Sequence, residues 1–353
     1  LVLTVWLEGR GTVTVRGGSP GSVASGRIVP ARGRRIALLL VAAIFVALTV
    51  VGALGTVRYV STFWLYRGFP PPSLPHSVMV RGPGGPRQVP VVAPAVQNIT
   101  VPSPALGSYA DPVTVVLPPG YASHPGRRYP VLYLLHGFPG LPAQYLNVGQ
   151  VSAAEAALVA AGRMKPMILV LPTGTRSSLG LGNTEWANGV RGGSGWETFV
   201  AHDLVNAIDA RYRTIRSGAA RGIGGLSAGG YGALNIGLHH PGQFGLLESW
   251  SGYVRADRIP AIFGRSPAVR SYNSPSAWIT AVAPQARADH TYIWFYSGAS
   301  DSLAPQNRAF AAQLATLGVA HHFFLAPGRH NWQLWRGFMP QALITASDHL
   351  THG

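Results

Sequence analysis

The chain has 353 residues, 47% of them hydrophobic and 11% charged, with a formal net charge of +16. Such a composition permits a large core and excludes a disordered chain. The absence of cysteine excludes a disulfide framework and a thiolate metal site. Ten arginines stand against Glu8 in residues 1–90, and eighteen basic against eleven acidic residues follow, so the positive charge is spread rather than gathered on one face. That argues against nucleic-acid binding and for affinity to an anionic membrane or cell-wall surface. Of the 28 basic residues only Lys165 is lysine, a usage expected of a high-GC bacterial genome.

Residues 1–35 read as a basic, poorly ordered cytoplasmic tail. Ile36 to Val57 is 22 residues without a charge. As a helix it spans about 33 Å, enough for a bilayer core of about 30 Å, and no polar stripe marks it as a core helix. Tyr59, Trp64 and Tyr66 follow as an interfacial aromatic belt would. Arg16, Arg27, Arg32, Arg34 and Arg35 precede the run, and only Arg58 and Arg67 follow it closely. The positive-inside rule then places the rest of the chain outside the cell. The run exceeds the usual h-region, so an uncleaved signal anchor is favoured over secretion after cleavage near Ala53-Leu54-Gly55. Residues 58–95 hold Pro70-Pro71-Pro72, Pro75, Pro83, Pro86, Pro90 and Pro94, and read as a stiff, extended spacer.

From Val96 the pattern changes, and 96–353 is expected to be one catalytic domain. Strands are predicted at Val96–Val101, Val113–Leu117, Val131–Leu135, Met167–Leu171, Ile223 and its neighbours, Gly245–Trp250, Thr291–Tyr296 and His322–Leu325. Helices are predicted at Ala153–Ala161, Trp196–Tyr212, Tyr231–His239 and Asn307–Leu317. The alternation implies an α/β fold, a mostly parallel sheet with helices on both faces.

Gly225-Leu226-Ser227-Ala228-Gly229 reads G-x-S-x-G, a serine on a sharp strand-to-helix turn. A second copy, Gly17-Gly18-Ser19-Pro20-Gly21, lacks a strand before it. Pro20 also lacks the N–H that an oxyanion donor after the serine needs. Ser227 is therefore the candidate nucleophile. A hydrolase of this type supplies an acid and then a histidine later in the chain. The acids after Ser227 are Glu248, Asp257, Asp289, Asp301 and Asp348. Asp301 follows a buried-strand pattern at its carboxyl end, where α/β sites are built, and is preferred, with Glu248 next. Of the later histidines, His330 lies in a turn after the strand 322–325, whereas His239 and His240 end a helix and His321 and His322 open a strand. The oxyanion donors are expected to be the N–H groups of Ala228 and, in Leu135-His136-Gly137-Phe138-Pro139, of Phe138.

Three strings carry a family resemblance: Tyr129-Pro130-Val131-Leu132-Tyr133-Leu134-Leu135-His136-Gly137, Gly224 through Ala233, and Gly328-Arg329-His330-Asn331-Trp332. They resemble the esterase D-type branch of the α/β hydrolases, which includes S-formylglutathione hydrolases, feruloyl esterases and mycolyltransferases. The segments Thr184-Glu185-Trp186 and Trp196-Glu197-Thr198-Phe199 are similar to those of exported members. The resemblance implies the α/β-hydrolase fold over roughly 97–345. It also implies a Ser227–Asp301–His330 triad and oxyanion donors at Phe138 and Ala228. Arg329 stands where a glycine is frequent; it is either an exposed arginine or a charge acting on His330 or on an anionic substrate.

The expected activity is a membrane-anchored, extracytoplasmic serine esterase acting on a small-molecule or lipid ester, with no cofactor, metal or nucleic acid. The alternatives are an acyltransferase of the mycolyltransferase type, acting on a sugar or glycerol hydroxyl, and a non-catalytic cell-surface binding protein. His136, Trp186 and Trp332 are candidate pocket residues, with Trp186 carried by the Gly-rich stretch 176–195.

Overall fold

The computed structural model describes residues 31–59, 73–83, 85–178, 180–189, 194–257 and 259–352. The basic tail before residue 31, the second motif at Ser19, and the belt residues Trp64 and Tyr66 lie outside the described residues. So does the Tyr59 side chain.

The first unit contains one helix, α1 (Ala31–Tyr59). Its stretch Arg35–Leu54 is long and apolar enough to cross a membrane. The hydroxyls of its two threonines are spent inside the helix, Thr49 on the Phe45 carbonyl and Thr56 on the Gly52 carbonyl, both at 2.8 Å. Backbone and hydroxyl groups satisfied within one segment are what a bilayer requires.

The second unit covers residues 65–353. It opens on an antiparallel hairpin, β1 (Ser77–Gly82) and β2 (Gly85–Pro90). Over 77–90 this hairpin replaces part of the extended spacer expected across 58–95, of which residues 60–72 lie outside the described residues. A two-stranded ribbon consists only of edges, so Pro86 and Pro90 can face solvent with no ladder bond lost.

The main sheet follows: β3 (Ala95–Pro102), β4 (Ala110–Leu117), β5 (Val131–Leu135) and β6 (Ile168–Pro172) in its first half, then β7 (Arg221–Leu226), β8 (Leu246–Trp250), β9 (Tyr292–Gly298) and β10 (His321–Ala326). The order across it is β10-β9-β8-β7-β5-β6-β4-β3. Only the β3–β4 and β4–β6 pairs are antiparallel. Strands β5, β6 and β8 are buried along their whole length; β5 and β6 accordingly read as apolar runs rather than alternating ones, whereas β8 carries the buried polar residues Glu248 and Ser249.

The longer helices among the described residues of this unit are α2 (Val151–Ala160), α3 (196–211, with a π-helical stretch over Phe199–Leu204), α4 (Ala228–His239), α5 (Pro275–Ala288), α6 (Ala304–Thr316) and α7 (Trp332–His349). The long helices α5 and α7 carry internal prolines, Pro284 and Pro340. A proline interrupts the local helical pattern, so tertiary burial of Ile279 and Ala283 in one, and of Met339 and Leu343 in the other, holds these segments helical. Two large apolar clusters lie on the two faces of the sheet. One is built around Tyr133, Phe199, Ile223 and Phe295, the other around Leu132, Leu134, Trp250 and Trp335.

Candidate active site

Strand β7 ends at Leu226 and α4 begins at Ala228, so Ser227 alone makes the turn, at φ 54° and ψ −119°. A non-glycine residue there stores about 1–3 kcal/mol of strain. Its N–H donates to the Trp250 carbonyl at 2.9 Å, which helps hold it. The flanking glycines are needed because the end of β5 packs into the turn. A Cβ on Gly229 would stand 1.9 Å from the Leu135 carbonyl oxygen, and one on Gly225 2.3 Å from the same atom.

The candidate acid and base arrive on neighbouring strands. Parallel pairing of β9 with β10 brings both exits to the same edge. There the Ser300 N–H donates to the Gly328 carbonyl at 3.0 Å and the Ala299 N–H to the Ala326 carbonyl at 2.7 Å. Asp301 and His330 ride on these two loops. His330 Nδ1–H donates to Asp301 Oδ2 at 2.8 Å, which leaves Nε2 to accept the Ser227 hydroxyl, also at 2.8 Å. Burial alone would raise the Asp301 carboxyl; the bonds from His330 and the Leu303 N–H more than offset it and hold it below the ordinary carboxylate value. Asn331 caps α7, its side chain accepting the Leu334 N–H at 3.1 Å, and so anchors the residue next to His330.

Across the turn lies the loop after β5. A Cβ on Gly137 would stand 3.1 Å from the Ser227 Cβ, so this loop abuts the nucleophile. Ala228 is the first residue of α4, where an N–H has no intrahelical partner. Among the described residues, neither the Phe138 nor the Ala228 N–H donates to a backbone carbonyl. Two unspent donors beside a serine hydroxyl suit a developing oxyanion.

The other candidates are placed elsewhere. Glu248 is fully buried in β8, accepts from Trp250 Nε1 at 3.1 Å, and has its carboxyl pushed well up by burial. Asp257 pairs with Arg255 on the surface. His239 and His240 both bond Glu197, and Arg329 is exposed. The three candidate pocket residues are buried: His136, Trp186 and Trp332 are 6%, 2% and 4% exposed. Trp186 is wedged against Gly174 and Gly232, and Trp332 packs edge-on to Tyr145 and Trp335. Large indoles next to glycines fill gaps left for them, and sequence does not distinguish that from lining an open cleft. The surrounding loop does line a cavity of about 540 Å3, with Thr175, Arg176, Asn183, Thr184, Trp196 and Ile262 in its wall. Among the described residues no three metal-binding side chains converge. Asp111 was missed by sequence reasoning; a lone carboxylate in the apolar strand Ala110–Leu117 was the available signal.

Strand order, strained serine turn and loop-borne acid and base define an α/β-hydrolase fold. The chain belongs to the esterase family: the profile described as "Putative esterase" matches residues 106–346. Esterase Rv1288 of Mycobacterium tuberculosis is 29% identical over 250 residues, which cover 62% of this chain and 52% of that protein. The chain thus spans about half the length of the curated relatives that it matches first. The diacylglycerol acyltransferase/mycolyltransferase Ag85A of Mycobacterium leprae is 26% identical over 226 residues, 58% of this chain and 62% of that one. A solved ferulic acid esterase superposes with a TM-score of 0.65 at 27% identity, covering 73% of this chain and 100% of the other. The resemblance read from the motifs is borne out.

Proposed function

We propose that the protein is a serine carboxylic-ester hydrolase with Ser227 as nucleophile, His330 as general base and Asp301 as the residue that orients it. The observation that carries this reading is the continuous chain from Asp301 Oδ2 through His330 to Ser227 Oγ, with both contacts at 2.8 Å. His330 Nε2 takes the hydroxyl proton as Oγ attacks the ester carbonyl. The Phe138 and Ala228 amides hold the resulting oxyanion, each worth about 3 kcal/mol in the transition state. His330 then gives its proton to the departing alcohol, leaving an acyl-enzyme on Ser227. Water, activated by the same imidazole, releases the acid. Asp301, held ionised, stabilises the imidazolium formed in each half-reaction.

The apolar stretch 35–54 and the arginine excess before it support anchoring at a bacterial membrane, with the catalytic domain, residues 96–353, outside. A second reading is acyl transfer to a sugar or glycerol hydroxyl. It is favoured by the similarity to a protein named as a diacylglycerol acyltransferase/mycolyltransferase, and the two readings share every step up to the acyl-enzyme. Product analysis with a lipid ester, in the presence and absence of trehalose or glycerol, separates them. Free acid as the main product in both conditions supports hydrolysis, and a new ester of the added alcohol supports transfer. Ser227→Ala tests the common core: retention of p-nitrophenyl ester cleavage sinks both readings, whereas no cleavage by the unaltered protein leaves a binding protein.

A further inference from the structure

Asp111 is buried in β4, away from the triad, and its partners lead toward the oxyanion loop. Its Oδ2 accepts the Thr173 N–H at 2.9 Å, which that amide shares with the Pro112 carbonyl, and its Oδ1 accepts the Gly174 N–H at 3.1 Å. These are the first two amides past the end of β6. On the other side of this turn the Thr173 carbonyl lies 2.6 Å from His136 Nε2. The second ring nitrogen, Nδ1, lies 2.8 Å from the Gly137 carbonyl. Carbonyl oxygens only accept, and burial pushes the imidazole toward its neutral form. Both ring nitrogens thus face carbonyl oxygens, and the imidazole bridges the 173–174 turn and the loop after β5. His136 directly precedes Gly137 and Phe138 in the chain.

Two further ties hold the same turn. Trp186 Nε1 donates to the His136 carbonyl at 3.0 Å, and the Thr184 hydroxyl donates to the Gly174 carbonyl at 2.9 Å. Gly174 has to be glycine here, since a Cβ would stand 2.0 Å from the Trp186 ring and its φ is +61°.

We propose that Asp111 is a positioning residue for the ester-cleaving site: through the 173–174 turn and His136 it sets the direction of the Phe138 N–H. This rests on the serine-hydrolase reading above. Burial pushes the Asp111 carboxyl up to about 7 against the pull of the two amides. Donors must sit within a few tenths of an ångström of the oxyanion position to be effective, so a loosened turn weakens the transition state more than the bound substrate.

The test uses the full chain with the near-isosteric variants Asp111→Asn and His136→Gln, singly and together. Fluorophosphonate titration gives kcat per competent site. A trifluoromethyl alkyl ketone, which forms a tetrahedral oxyanion on a serine, reads the oxyanion donors directly. Each single variant is expected to lower kcat by about 10- to 100-fold with KM within about threefold. Ketone affinity falls by the same factor, and the double variant is no worse than the worse single one, because both act on one donor. Unchanged kcat, a change in KM alone, a kcat loss without matching loss of ketone affinity, or multiplied effects in the double variant would each overturn the proposal. Should Asp111→Asn fail to fold, His136→Gln decides the matter through the ketone comparison alone. Activity surviving in Ser227→Ala removes the hydrolase reading itself. An inactive Ser227→Ala beside a wild-type-like His136→Gln removes only the positioning role.

Discussion

Two carboxylate–histidine pairs in this molecule have the same chemistry and different fates. Asp301 holds His330 at 2.8 Å, and Glu197 holds His239 at 3.0 Å and His240 at 3.2 Å. In the first pair the histidine side chain is 32% exposed, and its second nitrogen faces the Ser227 hydroxyl. In the second, His239 is 1% exposed, stacks on Tyr272 at 4.0 Å, and turns its other nitrogen to the Tyr272 carbonyl at 2.8 Å. Both nitrogens of His239 therefore face acceptors, and none is left to accept a proton from a substrate or nucleophile. A buried carboxylate beside histidine is thus not by itself a catalytic device. The difference is a second ring nitrogen aimed at a hydroxyl on a strained turn.

The largest break in this comparison is removal of either end of the catalytic chain. Ser227→Ala or His330→Ala is expected to lower kcat by about 10⁶-fold, and the double variant by no more, as measured in single-turnover ester cleavage. Asp301→Asn keeps the shape but loses the charge that orients the imidazole, and kcat should fall by about 10⁴-fold.

Glu155, buried in α2 with only the Met167 N–H donating to it at 3.3 Å, supplies the unpaired control. Burial pushes its carboxyl from 4.5 up to about 8. The native state therefore keeps a proton that the unfolded chain releases, and stability falls as pH rises from about 4.5 to about 8. Glu155→Gln should remove that slope and gain on the order of 4 kcal/mol at pH 9 in thermal or urea unfolding.

Glu197 has the opposite sign. Burial alone would raise it, but the bonds from His239 and His240 bring it from 4.5 down to about 2. Its contribution is complete above about pH 4.5 and is lost as pH falls toward 2. Glu197→Gln should cost on the order of 3 kcal/mol at pH 6 and flatten the acid side of the melting curve. The kcat per folded site should stay within about twofold; a loss as large as that of Asp301→Asn would mean that the two pairs are not distinct in role. The smallest expected effect is Asn331→Ala, about 1 kcal/mol of stability through the lost cap, with a few-fold fall in kcat because His330 is the adjoining residue.

Much of this was legible in the chain. The run Val131–Leu135 is a strand with those bounds, and the predicted strands elsewhere agree within a residue or two at most ends. A strand buried on both faces favours apolar side chains at successive positions, so a run such as Val131–Leu135 announces itself. The elbow was legible because only glycine tolerates the approach of the β5 end at positions 225 and 229. Asp301 and His330 could be picked because acids are scarce and each stands just past a strand. Helices α5 and α7 were not legible, since Pro284 and Pro340 break the local pattern that burial overrides. The hairpin at 77–90 was hidden in the same way by its prolines.

The sequence alone thus determined the class of fold, the turn that holds Ser227, and the two loops from which its partners come. These depend on spacing and residue type within short stretches, where sterics and periodicity act locally. Only the tertiary structure decided that Glu197 meets His239 and His240, that Trp186 and Trp332 are buried, and that Asp111 reaches the loop after β5 through Thr173 and His136. Asp111 and Thr173 stand 62 residues apart in the chain. What joins them is the order of strands in the sheet, a global property that no short stretch of sequence records.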